Sequence, residues 1–260
     1  MTQQPLDPTA AVVDRLRAAG CVFAEDEAEL LVEAAGSPDE LELMVGRRVA
    51  GEPLEHVLGW VEFAGARFAV DPGVFVPRQR TLLLVREAAR LARPGSTVLD
   101  LCCGSGAVGA AVLARTTGIE LYAADIDPAA VANARRTIAP DRVFEGDLFA
   151  PLPAALRGRI DVLVANTPYV PSDAIATMPP EARLHEARVA LDGGPDGLDV
   201  QRRVAEEAPL WLRSGGSLLV EAGERQAQLT AQVFARAGLE PRVIHSDEFD
   251  ATVVVGTLAR

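Results

Sequence analysis

The stretch TVLDLCCGSGAVGAAVLART, Thr97 to Thr116, decides the fold. A short apolar run leads into Gly104-Ser105-Gly106 and continues as an Ala- and Val-rich segment, which predicts a strand, a tight turn and a helix. Gly104 and Gly106 let the backbone approach a ligand closely, and the helix that follows offers its N-terminus. Cys102 stands where a full G-x-G-x-x-G has its first glycine, and no Lys-Ser/Thr follows as in a phosphate loop. By itself the turn is weak evidence for a nucleotide-like ligand.

Working outward, the pattern repeats. ELYAADI, RVFEGD, DVLVAN and SLLVEAG read as strands, as do PRVIHS and ATVVVGTLA near the end. DPAAVANARRTIA, LDVQRRVAEEAPLWLR and ERQAQLTAQVFARAG read as helices between them. Such alternation predicts an α/β fold, a mostly parallel, doubly wound sheet with helices on both faces. The last two strands have no helix between them, so they are expected to form an antiparallel hairpin at the sheet. Upstream, PTAAVVDRLRAAG, EDEAELLVEAAG and SPDELELMVGRRVAG read as three helices, the third with Ser37 as N-cap and Pro38 at its first position. VEFAGARFAVDPGVFVP suggests a β-hairpin around Ala64-Gly65-Ala66, and RTLLLVREAARLARPG one more helix. The expected division is a small helical domain over 1–50, a hairpin linker over 51–77 and the α/β domain over 78–260.

Among 260 residues, 49% are hydrophobic and only 5% aromatic, so the core must be built of Ala, Val and Leu. The net charge of -12 argues against tight binding to nucleic acid or an anionic membrane. Cys21, Cys102 and Cys103 offer neither a disulfide framework nor zinc-ligand spacing, and His56, His185 and His245 are scattered, so no metal is expected. MTQQPLDPTA lacks a leader pattern and no apolar span is long enough for a membrane, which points to a cytoplasmic chain.

Two carboxylates sharpen the glycine turn. Asp125 ends the second strand of the α/β region about twenty residues after the loop, where an acid can accept ribose hydroxyls. Asp147 ends the third, near the place of an adenine; Ile126 and Leu148 follow these acids. Asp127 is expected to cap the next helix, leaving Asp125 for the ligand. Asp100 either orients the loop or approaches the cationic end of a cofactor. Cys102 and Cys103 are expected to pack beneath the loop without reacting.

The fourth strand, DVLVANTPYVPS, delivers Asn166-Thr167-Pro168-Tyr169 to the same edge. The order of these pieces resembles the class I (Rossmann-like) S-adenosylmethionine-dependent methyltransferases, and Asn-Thr-Pro-Tyr resembles the N-P-P-Y signature of those acting on planar amide or amino nitrogens. The chemistry explains the residue types. An amide lone pair is delocalised, and two acceptors, the Asn166 side-chain oxygen and the Thr167 carbonyl, can pin the nitrogen and aim that lone pair at the methyl group. Pro168 stiffens the turn and Tyr169 can pack its ring on the acceptor or near the cationic centre. Thr167 departs from the usual proline, adding an N–H and some freedom.

A longer resemblance narrows the acceptor. RRVAGEPLEHVLGWVEFAGARFAVDPGVFVPR, GDLFAPLP, MPPEARLHEARVALDGGPDGLDVQRRVAEEAPLWL and GGSLLVEAGERQ are similar to segments of the PrmC/HemK protein-(glutamine-N5) methyltransferases, in family order across roughly residues 47 to 260. The resemblance implies S-adenosyl-L-methionine as cofactor, with Asp100, Cys102, Gly104, Gly106, Asp125, Ile126, Asp147, Leu148 and Asn166 around it. It implies Asn166, Thr167, Pro168 and Tyr169 as the catalytic turn, and Arg78, Thr81 and Glu186 on the substrate side. The implied partner is a protein carrying an exposed glutamine, a peptide chain release factor or another protein. Two departures stand out: the helical region is shorter than that family's, and its PRPETE-like segment reads PRQRTL, with Arg80 and Leu82 changed in character. An adenine-N6 methyltransferase of DNA or RNA and a non-catalytic S-adenosylmethionine-binding scaffold are the alternatives. Acidity and the lack of a basic recognition domain weigh against the first, and the intact Asn, Pro and Tyr against the second.

Overall fold

The computed structural model describes residues 8–260; the first seven residues of the expected 1–50 helical domain, with most of the stretch read as lacking a leader, lie outside the described residues. Helices α1 (Pro8–Ala18), α2 (Ala24–Ala34) and α3 (Pro38–Val49) follow the three predicted segments. Ser37 caps α3 as its position implied: the side chain accepts the Glu40 N–H at 3.2 Å, while the Glu40 carboxylate reaches back to the Gly36 N–H at 2.8 Å. Ser37→Ala is expected to cost about 1 kcal/mol, read as a lower urea midpoint with an unchanged slope.

A short helix α4 (Leu54–Leu58) opens the stretch expected to be only a hairpin. One turn is too short to show a helical period, but Val57 packs with Leu16, Leu31 and Met44 in the helical core. Then β1 (Trp60–Phe63) and β2 (Ala66–Ala69) pair antiparallel through Ala64-Gly65, both at positive φ, 58° and 82°. This is the two-residue turn that matches strand twist.

The α/β part runs α5 (Leu82–Leu91), β3 (Thr97–Leu101), α6 (Ala107–Arg115), β4 (Glu120–Asp125), α7 (Pro128–Ala134), β5 (Val143–Glu145), β6 (Ile160–Ala165), α8 (Pro180–His185), α9 (Asp199–Trp211), β7 (Leu212–Ala222), α10 (Ala227–Arg236), β8 (Leu239–Ser246) and β9 (Ala251–Leu258). The seven strands lie in the order β5-β4-β3-β6-β7-β9-β8. The expected terminal hairpin forms, with its second strand inserted: β9 runs antiparallel between β7 and β8. Alternation along the strands splits the core in two. Val98, Val162 and Val253 face α5, α6 and α7, while Leu99, Leu163 and Val254 face α9 and α10. No helix among the described residues is long and apolar enough to cross a membrane.

Register is what builds the site. Leu101 lies beside Ala124 on one side and Ala165 on the other. The glycine turn therefore leaves the sheet between Asp125 and Asn166, at the point where the strand order reverses, which in open α/β sheets is the binding crevice. Buried Arg48 on α3 holds Glu27 of α2 at 2.6 Å and Glu181 of α8 at 2.7 Å, tying the helices to the segment that follows Tyr169.

Candidate active site

One wall of the crevice is the β3–α6 turn. Cys102 takes φ 56° and Gly104 φ 54°, so the residue in the place of the usual first glycine adopts a left-handed conformation although it carries a side chain. Asp125 braces this turn: one carboxylate oxygen accepts the Gly104 N–H at 2.8 Å and the other the Asp127 N–H at 2.9 Å. It was expected to be left free for a ligand; it does line the cleft, and each oxygen keeps a lone pair. Asp127 caps α7 through the Ala129 N–H, as expected. Asp100 is buried and accepts the Gly109 N–H at 2.7 Å, orienting the first turns of α6.

Gly106 departs from expectation. It does not face the cleft: a Cβ there would meet Ile138 at 3.1 Å and Ala134 at 3.2 Å, so this glycine at φ 78° serves packing of α6 on the α7 segment. Asp147 also lines the cleft, paired to Arg203 of α9 at 2.6 Å, a partner 56 positions away that no local pattern announces. Leu148, at φ 48°, and half-exposed Ile126 supply apolar surface nearby. Burial, with the carboxylates around them, pushes the Cys102 and Cys103 thiols up, so both stay protonated and are poor nucleophiles.

The opposite wall begins at Asn166. Its amide nitrogen donates to Thr81 Oγ1 at 3.4 Å, which leaves the side-chain oxygen as the free acceptor. Thr81, expected on the substrate side, is buried and lines the cleft beside Asn166, whose amide it receives. Thr167 is buried too, its hydroxyl unpartnered, so packing removes the freedom that threonine was expected to add. No hydrogen bond within the described residues reaches its carbonyl. The Tyr169 hydroxyl donates to Glu221 at 3.2 Å and accepts from Arg80 at 2.6 Å; burial raises its pKa, so the phenol is neutral. Glu186, an acid on a loop, is buried: one oxygen accepts from Arg78 at 2.6 Å and from the Val76 N–H at 3.2 Å, and the other has no partner. Burial raises its pKa against the pull of Arg78.

These walls form a cleft lined by every predicted site residue except Gly106. The donor set suits S-adenosylmethionine: hydroxyl acceptors, an apolar shelf at Ile126 and Leu148, and a buried carboxyl at the turn. Burial pushes Asp100 up to about 8, against the hydrogen bond from the Gly109 N–H. In the unfolded chain this group ionises near its ordinary value of 3.8, so between about pH 4 and 8 the folded state holds the extra proton and loses stability as pH rises. Asp100→Asn is expected to flatten that decline by up to about 4 kcal/mol between pH 5 and 9, measured by urea unfolding without cofactor.

Residues 65–196 match the family model described as Methyltransferase small domain. A release factor glutamine methyltransferase of Geobacter sulfurreducens is 40% identical over 78% of this chain and 72% of its own length. One from Cereibacter sphaeroides is 35% identical over 90% of each chain. The crystal structure of a methyltransferase from Pyrococcus furiosus superposes with a TM-score of 0.56 at 16% identity, covering 74% of this chain and 89% of that one, which speaks for the fold. With the crevice, its acids and the Asn-Thr-Pro-Tyr turn in place, these likenesses show that the chain belongs to the release factor glutamine methyltransferase family and uses S-adenosylmethionine.

Proposed function

We propose that the protein methylates the side-chain amide nitrogen of a glutamine in a peptide chain release factor. The observation that carries this is the Asn166–Tyr169 turn: a free Asn166 oxygen and an unengaged Thr167 carbonyl at the end of β6, across the cleft from the acid-braced glycine turn. When bound, S-adenosylmethionine supplies an electrophilic methyl group. The two oxygens accept the two N–H bonds of the glutamine amide, which fixes the nitrogen and localises its lone pair. No strong base is required, since the alkylated nitrogen loses its proton readily. Pro168 holds the turn, and Tyr169 presents its ring. Asp125 accepts ribose hydroxyls with its remaining lone pairs. Asp147, Leu148 and Ile126 would hold the adenine, the Cys102–Gly104 backbone the amino-acid portion, and Asp100 would offset its positive charge. Arg78 and Glu186 shape the entry of the protein substrate. In this reading 1–50 is a helical domain, 51–77 a linker and 78–260 the catalytic domain.

The test is incubation with methyl-labelled S-adenosylmethionine, purified release factors and a lysate lacking the enzyme, followed by peptide mass spectrometry. Label on a release-factor glutamine supports the proposal. Label on a glutamine elsewhere replaces the partner and keeps the chemistry. Label in nucleic acid alone, or none, overturns it.

A further inference from the structure

We infer that Arg80 is a positioning residue for the methyl transfer, acting through Tyr169; this rests on the proposed glutamine methylation. Arg80 occupies one of the two changed positions in the PRQRTL segment, in a short helical turn just ahead of α5. Its Nη2 donates to the Tyr169 hydroxyl at 2.6 Å and its Nε to Glu221 at 3.2 Å. The hydroxyl donates to the same Glu221 oxygen at 3.2 Å, closing a triangle. At the other end of the residue, the Tyr169 carbonyl accepts from the Gln226 side chain at 3.0 Å. The tyrosine is thus held at both ends, one of them by an arginine.

The hydroxyl's single proton is committed to Glu221 and one lone pair to Arg80, so the acceptor meets the ring and not the hydroxyl. The guanidinium also brings a positive charge to the edge of a cleft that must accept a cationic donor. Glu221, with a side chain only 4% exposed, compensates that charge at contact distance, so the pair fixes the ring without opposing donor binding. Arg80 itself is half-exposed, a geometry in which its ion pair would add little stability. Its effect is therefore expected on rate more than on folding.

The experiment compares Arg80→Ala, Arg80→Lys, Tyr169→Phe and the Arg80→Ala/Tyr169→Phe double variant in the methylation assay. Arg80→Ala is expected to lower kcat about tenfold, with KM for donor and protein changed less than about twofold. Arg80→Lys is expected to recover part of the loss, and in the Tyr169→Phe background the Arg80 change is expected to cost less than about twofold, since the coupling is gone. Equal losses in both backgrounds, or a raised KM for the protein at unchanged kcat, would overturn the inference and make Arg80 a substrate contact. A second readout needs no substrate: the chain has two tyrosines, so ring-labelled tyrosine resolves Tyr169 by NMR. Its ring signals are expected to shift and narrow in Arg80→Ala. Unchanged ring signals overturn the inference whether or not the wild type methylates glutamine, whereas absent transfer by the wild type with altered ring signals counts against the proposed function alone.

Discussion

Asn166→Ala is expected to lower kcat by about a thousandfold while donor affinity changes less than about threefold. The side-chain oxygen it removes is an acceptor held in place before substrate arrives: the amide nitrogen leans on buried Thr81, and β6 sets the backbone. Losing one preorganised group of this kind costs roughly a hundred- to a thousandfold, and loss of orientation about the amide adds to it. The loss belongs on kcat because the Asn166 oxygen matters most once the nitrogen lone pair is being localised. Single-turnover kinetics with labelled donor, beside calorimetric donor titration, separates the two terms. A variant that instead lost donor binding with normal turnover at saturation would place Asn166 on the cofactor and not on the acceptor.

Gly197→Ala is expected to cost about 3 kcal/mol of stability and about a hundredfold in kcat. Gly197 sits at φ 76°, and a Cβ there would lie 2.2 Å from the Tyr169 carbonyl oxygen and 2.4 Å from the Gln226 amide nitrogen. Both atoms belong to the hydrogen bond that anchors Tyr169, so relief of the clash must move the catalytic turn. Gly158 gives the control: φ is 66° but nothing lies within 4 Å of its added Cβ. Gly158→Ala carries only the left-handed conformational cost of about 1 kcal/mol and should leave kcat untouched. Urea unfolding and turnover of the two variants, side by side, isolate the close approach. Equal stability losses would mean that the turn around Tyr169 yields without cost.

What the sequence disclosed follows the range of the interactions involved. Ser37, Asp127 and the Ala64-Gly65 turn act on backbone within a few residues, so their types and positions suffice to read them. The glycine turn and the acids at successive strand ends were equally legible, because a parallel sheet gathers strand ends at one edge. Sequence said less about which way each residue faces. Gly106 has the same left-handed backbone as Gly104 yet turns toward Ile138, and nothing local distinguishes the two. The triangle of Arg80, Tyr169 and Glu221 joins residues separated by 89, 141 and 52 positions, and Arg203 reaches Asp147 across 56. Such pairs exist only after the sheet has formed. Helices α4 and α8 escaped for a simpler reason: at one or two turns they have no period to detect.

The inserted place of β9 bears on how the protein is made. β9, which follows β8 in the sequence, lies inside the sheet, making six pairings with β7 and eight with β8. A nascent chain that has emerged only as far as β8 therefore offers β7 as an open apolar edge, and β8 has no neighbour to dock on. Strand edges of this kind are where aggregation starts. Closure of the sheet accordingly waits for β9, and a chain stopped between β8 and β9 is left as a sticky intermediate.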